Sequence, residues 1–437
     1  MGDYMFMLES HLSPAQNRAM SLVQQSAIDA GFNIYLTGGA MRDMLGGFSI
    51  RNLDFTLEGK TLKLAKKLTD IAGAALVGYD DNRHVASLRF PGDVSVRISM
   101  ARKETYPKAG GTPKVTAATI HEDLLGRDFT INAIALSLNP ASLGLLIDPA
   151  NGVADLERRE LSTTYNYSLY DDPIRMLRLI RYEIRLGFAI SEKTARQFEN
   201  ARLAKVESMI PAYKLRGELR HIANDPHCGA IVAKLEQVGL LPLFGFDERL
   251  SRTAFAALAK FERVHESLPP DLVWECNFFP VFLHTVTEGF PPRRRNAFAE
   301  HLALSPEESQ AWQKLSTNAA KLEKKLLAIP GIRIEEIYLL LHGANNQEIA
   351  YLFVHSKQRM VQDRVKNYLQ KYLWIGQEIR DEEVVALGGD PGTARFEKSK
   401  AQLIAKRIRM RPKKVVDEFE LPDGEFDEEE LASSAGA

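Results

Sequence analysis

The stretch Ile34-Tyr35-Leu36-Thr37-Gly38-Gly39-Ala40-Met41-Arg42-Asp43-Met44-Leu45-Gly46-Gly47-Phe48-Ser49-Ile50-Arg51-Asn52-Leu53-Asp54-Phe55-Thr56-Leu57-Glu58-Gly59 organises the rest of the chain. It has the pattern of a short strand, a glycine turn at Gly38-Gly39, one helix and a second strand. Paired glycines let the backbone turn tightly and leave its N–H groups bare, and the helix that follows starts at the same place, which makes a phosphate cradle. Asn52 and Asp54 stand at i and i+2 on the second strand, so alternation puts both on one face, toward the cradle. A polar pair beside a phosphate site is where a nucleotidyl-transferring enzyme holds its metal ions.

A glycine pair alone marks only a turn. The spacing is more specific: Gly38-Gly39-x-x-Arg42-Asp43, then Leu45-x-Gly47, then Asn52-x-Asp54. It resembles the nucleotidyltransferase motif of the class II RNA nucleotidyltransferases, the bacterial CCA-adding enzymes and their poly(A) polymerase relatives. The resemblance implies that Gly38, Gly39, Arg42 and Asp43 hold a triphosphate and that carboxylates on the next strands bind Mg²⁺. That family carries Asp-x-Asp where this chain has Asn52-Leu53-Asp54. Its third carboxylate precedes a run ending in Arg-x-Glu; aligning Arg102-Lys103-Glu104 with that run puts Arg97 at the carboxylate position. One of three expected metal carboxylates, Asp54, is left, with Asn52 offering a neutral oxygen. Glu58, Asp43 and Glu104 are candidates to replace the missing ones, and Arg97 has the chemistry to pair with Asp54 or to bind triphosphate directly.

A chain of 437 residues exceeds one ordinary core and predicts two to four domains. With 45% apolar and 26% charged residues it has an ordinary globular composition, and no apolar run is long enough to suggest a membrane span. The short acidic N-terminus is unlike a basic signal peptide. Cys228 and Cys276 are far apart, which favours a reduced, cytoplasmic protein over a disulfide or zinc framework. A formal net charge of −1 excludes a uniformly basic coat but leaves room for local phosphate-binding patches.

Along the chain, residues 13–31 predict a helix with Ser13 as N-cap and Pro14 at its first position. A second helix is expected from Thr61 to Ala72. Strands follow at 75–78, 84–90 and 94–100, which together with the first two predict a small mixed sheet flanked by helices. Tyr106–Val115 is expected to be a loop, either a plain connector or a cover for the site. Arg127-Asp128-Phe129-Thr130-Ile131-Asn132 precedes an apolar segment expected to be helical, and by itself would be a capping arrangement. The same run resembles the family's ribose-contacting motif, which implies that role for Arg127, Asp128 and Asn132. Ile147-Asp148-Pro149-Ala150-Asn151-Gly152 reads as a structural turn.

Asp171-Asp172-Pro173-Ile174-Arg175-Met176-Leu177-Arg178-Leu179-Ile180-Arg181-Tyr182 begins another helix, with Asp172 a natural N-cap before Pro173. Its arginines recur at i, i+3 and i+6 as a basic ridge, a pattern that is ordinarily solvated. The segment resembles the family motif Glu-Asp-x-x-Arg-x-x-Arg-x-x-Arg-Phe, which implies that Asp172 and Arg175, with Arg178 beside them, read the Watson–Crick edge of the incoming base. A carboxylate accepting from an amine and a guanidinium donating to a ring nitrogen suit both A and C.

Beyond about residue 190 helices are expected almost throughout, including 191–204, 211–223, 229–239, 252–267, 333–341 and 346–354. Pro291–Arg295 is a basic knot, Lys398–Lys414 a basic helix, and the acidic tail after Asp417 is expected to be disordered. The fold class is α+β. The expected domains are a nucleotidyltransferase head at 1–150, a helical base-recognition neck at 151–240, a helical RNA-binding body and tail at 241–415, and the acidic segment 416–437. The resemblance implies an RNA 3′-end nucleotidyltransferase using ATP and CTP with Mg²⁺ on the acceptor end of tRNA. The alternatives are a non-catalytic RNA- or nucleotide-binding relative, favoured by Asn52 and Arg97, and a poly(A) polymerase acting on other RNA.

Overall fold

The computed structural model describes residues 4–246, 248–268 and 274–410. In its first half the strands are β1 (Asn33–Thr37), β2 (Leu53–Glu58), β3 (Ala75–Asp80), β4 (Val85–Phe90), β5 (Val94–Met100), β6 (Arg102–Thr105), β7 (Lys114–Ala117), β8 (Ala135–Ser137) and β9 (Leu146–Ile147). Seven of them form one mixed sheet in the order β3-β4-β5-β2-β1-β8-β9, and β6 and β7 form a separate antiparallel hairpin. Within the large sheet only β2 and β5 run parallel, with Asp54 in register with Arg97. A parallel pair needs a crossover, which here is a helix followed by the β3-β4-β5 meander.

The helices of this half are α1 (Tyr4–His11), α2 (Pro14–Asp29), α3 (Gly39–Leu45), α4 (Thr61–Ala72), α5 (Ile120–Leu125) and α6 (Gly152–Arg158). α2 starts where local chemistry says it should. Ser13 accepts from the Gln16 N–H, Gln16 returns a bond to the Ser13 N–H, and Pro14 occupies the first turn. α4 buries Leu64, Ala65 and Leu68 as one stripe and ends at Gly73 in the left-handed region, with φ +61°. Asp148 accepts from the N–H groups of Gly152 and Val153, so the 147–152 turn orders the start of α6.

Two expectations are corrected here. The motif ends in a single 3₁₀ turn (Thr130–Asn132), and the apolar segment after it forms β8 rather than a helix, because the free side of β1 supplies the backbone partners that a helix would otherwise supply itself. The expected loop from Tyr106 to Val115 is shorter than that, since Lys114 and Val115 belong to β7.

The helical half continues with α7 (Ser168–Asp171), α8 (Ile174–Leu186), α9 (Glu192–Leu203), α10 (Ala212–Ala223), α11 (Cys228–Gln237), α12 (Arg252–Glu266), α13 (Phe279–Val286), α14 (Pro292–His301), α15 (Pro306–Ala328), α16 (Ile334–His342), α17 (Asn346–His355), α18 (Arg359–Asn367), α19 (Leu373–Glu378), α20 (Asp381–Ala386) and α21 (Ala394–Met410). α8 joins the two halves. Its Leu179 packs into the sheet core, while Ile174, Leu177 and Ile180 enter an apolar cluster that runs on to Ala405. The basic knot lies at the start of α14, where Arg294 sits over the Phe290 ring at 4.0 Å. α21 carries the described part of the basic 398–414 segment; Arg407 pairs with Glu383 and Arg409 with Glu335. Residues 411–414 and the acidic tail lie outside the described residues. No helix among the described residues is long and apolar enough to cross a membrane.

Candidate functional site

The turn from β1 into α3 has a bare floor. Gly38 has φ +65°, a region costly for any residue with a Cβ. A Cβ on Gly38 would lie 3.1 Å from Arg127 Nη1, and one on Gly39 would lie 3.5 Å from Asp54 Oδ2 and 3.6 Å from Arg42 Nη2. The two glycines thus leave open the space that Asp54, Arg42 and Arg127 border. Asp54 is not free in that space. Arg97 Nε lies 3.1 Å from Asp54 Oδ1, a pairing imposed by the parallel register of β2 and β5. Asn52 is exposed in the bend before β2, outside the ladder that begins at Leu53, so it does not share a strand face with Asp54 as expected.

Each candidate replacement carboxylate is already engaged by groups of the protein. Glu58 accepts from the Ile120 N–H at 2.7 Å and from Asn33 Nδ2 at 2.8 Å, at the far end of β2. Asp43 Oδ1 takes Arg42 Nε and Nη2 at 2.9 and 2.6 Å. Glu104 is bound by Arg83, Arg102 and the Tyr106 hydroxyl. Burial alone would raise the Glu104 carboxyl, but Arg83 and Arg102 hold it down at about 2. Among the described residues no group of three or more His, Cys, Asp or Glu converges on one point. One carboxylate already neutralised by a guanidinium does not fit a pair of divalent cations.

The second motif forms a continuous hydrogen-bonded chain. Arg42 Nη1 donates to Asn132 Oδ1 at 2.9 Å, Asn132 Nδ2 donates to Asp128 Oδ1 at 2.9 Å, and Arg178 Nη1 reaches Asp128 Oδ2 at 3.2 Å. Burial would raise the Asp128 carboxyl; Arg178 and Arg175 outweigh it and leave it below the usual range. Arg127 spends Nε and Nη2 on Asp123, Nη1 on the Asn132 carbonyl, and Nη2 also on Thr56 Oγ1 at 2.8 Å. Arg42, Asp43, Arg127, Asp128, Asn132 and Arg178 are therefore brought together, Arg178 from α8 and the others from the sheet half. Thr56, Asp123 and Ser168 complete this network without belonging to any motif.

The third motif departs from its local reading. Asp172 does not cap α8 with its side chain. Its Oδ1 accepts from Lys214 Nζ of α10 at 2.7 Å, and both side chains are buried. Two of the three ridge arginines are not solvated either, since Arg175 and Arg181 are each 5% exposed, whereas the Arg178 side chain is 35% exposed. The reason is that buried acceptors meet them. Arg175 Nη1 donates to Ser168 Oγ at 2.6 Å and to the Arg127 carbonyl at 3.1 Å, and its Nη2 to the Gly126 carbonyl at 2.9 Å. Arg181 Nε donates to Glu218 Oε1 at 2.6 Å. The hairpin loop reaches the same place. The Tyr106 hydroxyl lies 3.5 Å from Asp172 Oδ2, and the Gly110 N–H donates to the Asp171 carbonyl at 3.3 Å. Lys214, Glu218 and Tyr106 were not legible as site residues, because their partners lie 37 to 66 positions away along the chain.

Comparison with known proteins bears on the fold that carries these residues. Residues 34–162 match the family model described as Poly A polymerase head domain. The A-adding tRNA nucleotidyltransferase of Aquifex aeolicus is 38% identical over 167 residues, covering 38% of this chain and 20% of the relative. That of Geobacter sulfurreducens is 25% identical over 369 residues, covering 81% of this chain and 41% of the relative. The chain thus spans well under half the length of these two relatives. A solved CCA-adding enzyme in its apo form II superposes with a TM-score of 0.57 at 24% identity, over 93% of this chain and 98% of that one, which establishes a shared fold. The chain resembles the class II tRNA nucleotidyltransferases, with their sheet-based N-terminal part and helical C-terminal half.

Proposed function

We propose that this chain binds a nucleoside triphosphate and the acceptor end of tRNA on the framework of an RNA 3′-end nucleotidyltransferase, and that it transfers nucleotides weakly or not at all. The observation that carries the proposal is the Asp54–Arg97 pair at 3.1 Å, in a cleft whose other motif residues remain assembled. In this reading Gly38, Gly39 and Arg42 border the triphosphate, while the Arg127–Asp128–Asn132 turn lies against the ribose. Asp172, Arg175 and Arg178 form the base-facing wall. Residues 1–150 are the nucleotide-binding head, 151–240 the base-recognition neck, and 241–415 the part that grips RNA in the cytoplasm. Mg²⁺, expected from the resemblance, supplies charge neutralisation and activation of the 3′-hydroxyl when two ions are held. Asp54 alone is too few ligands for that, and no step is assigned to it.

The test is extension of a tRNA transcript lacking its terminal CCA, with Mg²⁺ or Mn²⁺ and each nucleoside triphosphate in turn. A transcript ending in unrelated sequence covers the poly(A) alternative. The unmodified chain is expected to be silent or slow, and the Asn52→Asp plus Arg97→Asp double variant faster. Brisk incorporation by the unmodified chain, abolished by Asp54→Ala, refutes the loss of transfer.

A further inference from the structure

We infer that the cleft binds a nucleoside triphosphate without a divalent cation, the Arg97 guanidinium supplying the positive charge. The inference deepens the reading above and rests on it.

The cleft floor is neither acidic nor closed. Among the described side chains bordering the Gly38–Gly39 opening, the carboxylate is Asp54, and Arg97 offsets its charge. A floor of unpaired carboxylates repels a polyphosphate until cations enter; a floor whose one carboxylate is paired does not. Arg42 and Arg127, the other cations at the opening, have every guanidinium nitrogen engaged by the protein. Arg97 differs from both. Its Nε pairs with Asp54, its side chain is 59% exposed, and Nη1 and Nη2 make no hydrogen bond to the described residues. That leaves a planar fork of N–H donors, the geometry that takes two phosphate oxygens at once.

Asp54 ties the fork to the glycine floor, since its Oδ1 lies 3.1 Å from Arg97 Nε and its Oδ2 3.5 Å from where a Gly39 Cβ would stand. The same substitution that removes a metal ligand installs a phosphate ligand, so loss of the metal and retention of the nucleotide are one event.

The experiment is calorimetric titration of the full chain with ATP and CTP, in EDTA and in Mg²⁺, alongside titration with a tRNA lacking CCA. Binding in EDTA is expected within about threefold of that in Mg²⁺, and Arg97→Ala is expected to weaken the EDTA value about tenfold or more, the worth of a charge-assisted bond. Arg97→Lys, which keeps the charge and loses the fork, should fall between. Arg97→Asp should bind only with Mg²⁺. Circular dichroism melts of each variant separate a binding loss from misfolding. The inference is overturned if the unmodified chain needs Mg²⁺ to bind, or if Arg97→Ala binds in EDTA as tightly as the parent. Binding of tRNA with no binding of either nucleotide also overturns it, leaving the RNA half of the proposed function in place. Failure to bind tRNA at all counts against that function and not against the nucleotide site.

Discussion

Replacing Glu218 by Gln tests the buried charges that fasten α8 to α10. Glu218 Oε1 lies 2.6 Å from Arg181 Nε and Oε2 lies 3.7 Å from Arg178 Nε, with the carboxylate side chain only 1% exposed. Glutamine keeps the shape and removes the charge. Arg178 retains Asp128, whereas Arg181 loses its carboxylate partner and keeps a neutral amide oxygen and its stacking over the Tyr182 ring at 4.7 Å. Removing one partner of a buried pair leaves the other charge uncompensated, at a cost of about 3–5 kcal/mol. Against a total stability of about 5–15 kcal/mol that is a large fraction, and urea unfolding followed by far-ultraviolet circular dichroism resolves it easily. The pH dependence follows from the direction of the Glu218 shift. Burial would raise its carboxyl, but Arg181 and Arg178 more than offset this, so the folded value lies below the ordinary 4.5. Its stabilisation is therefore complete above about pH 4.5 and lost as pH falls through the lower, folded value. Parent and variant should differ equally at pH 7 and pH 5 and converge in more acid solution. A deficit under about 1 kcal/mol at pH 7, or one that persists undiminished at low pH, would show that the Glu218 charge does not hold α8 to α10.

Two further perturbations isolate single contacts. Gly152→Ala places a Cβ 2.1 Å from the Thr130 carbonyl oxygen, a backbone atom that cannot swing aside, and should cost about 3 kcal/mol or more. Gly126→Ala, with only ordinary contacts at 3.5 and 3.6 Å, should stay within about 0.5 kcal/mol, and equal melting losses in the two would refute the packing argument. Lys214→Met removes the ammonium from buried Asp172, leaving the Tyr106 hydroxyl at 3.5 Å. The expected loss at pH 7 is about 3–5 kcal/mol in urea, and an unchanged midpoint would mean that Asp172 has another partner.

The parts of the fold that were legible in the sequence are those decided by near neighbours. Ser13, Pro14 and Gln16 start α2 within four residues of chain, and Gly73 stops α4. Alternation located β4 and β5 to within a residue or two, but their order in the sheet depends on a crossover that alternation does not encode. α13 has no visible period because all eight of its residues are buried, so no polar face marks the helix. α15 was not among the expected helices, although Ser305, Pro306 and Glu308, a capping box with proline in its first turn, mark its start. Asp172 before Pro173 has the local chemistry of an N-cap; its actual partner, Lys214, is 42 residues away. The arginine ridge was legible as a spacing, whereas its burial depends on acceptors from the 126–128 turn, α7 and α10.

The intact base-reading motif is weaker evidence for base reading than its length suggests. Arg175 holds Gly126, Arg127 and Ser168 together, so it would be required for the fold of this wall even if no base ever met it. Asp172 offers an acceptor to an amine only on terms shared with Lys214 and Tyr106. Asp128 and Asn132 are likewise spent on Arg178 and Arg42. Residues that serve the architecture persist whether or not the chemistry does. Arg97 is in the opposite position. It contributes one exposed ion pair to stability, an interaction worth little in solvent, yet it changes the charge of the floor where phosphate and metal would meet. Arg97 thus does little structural work, and under the proposed function position 97 separates transfer from binding more sharply than any residue of the 171–182 motif.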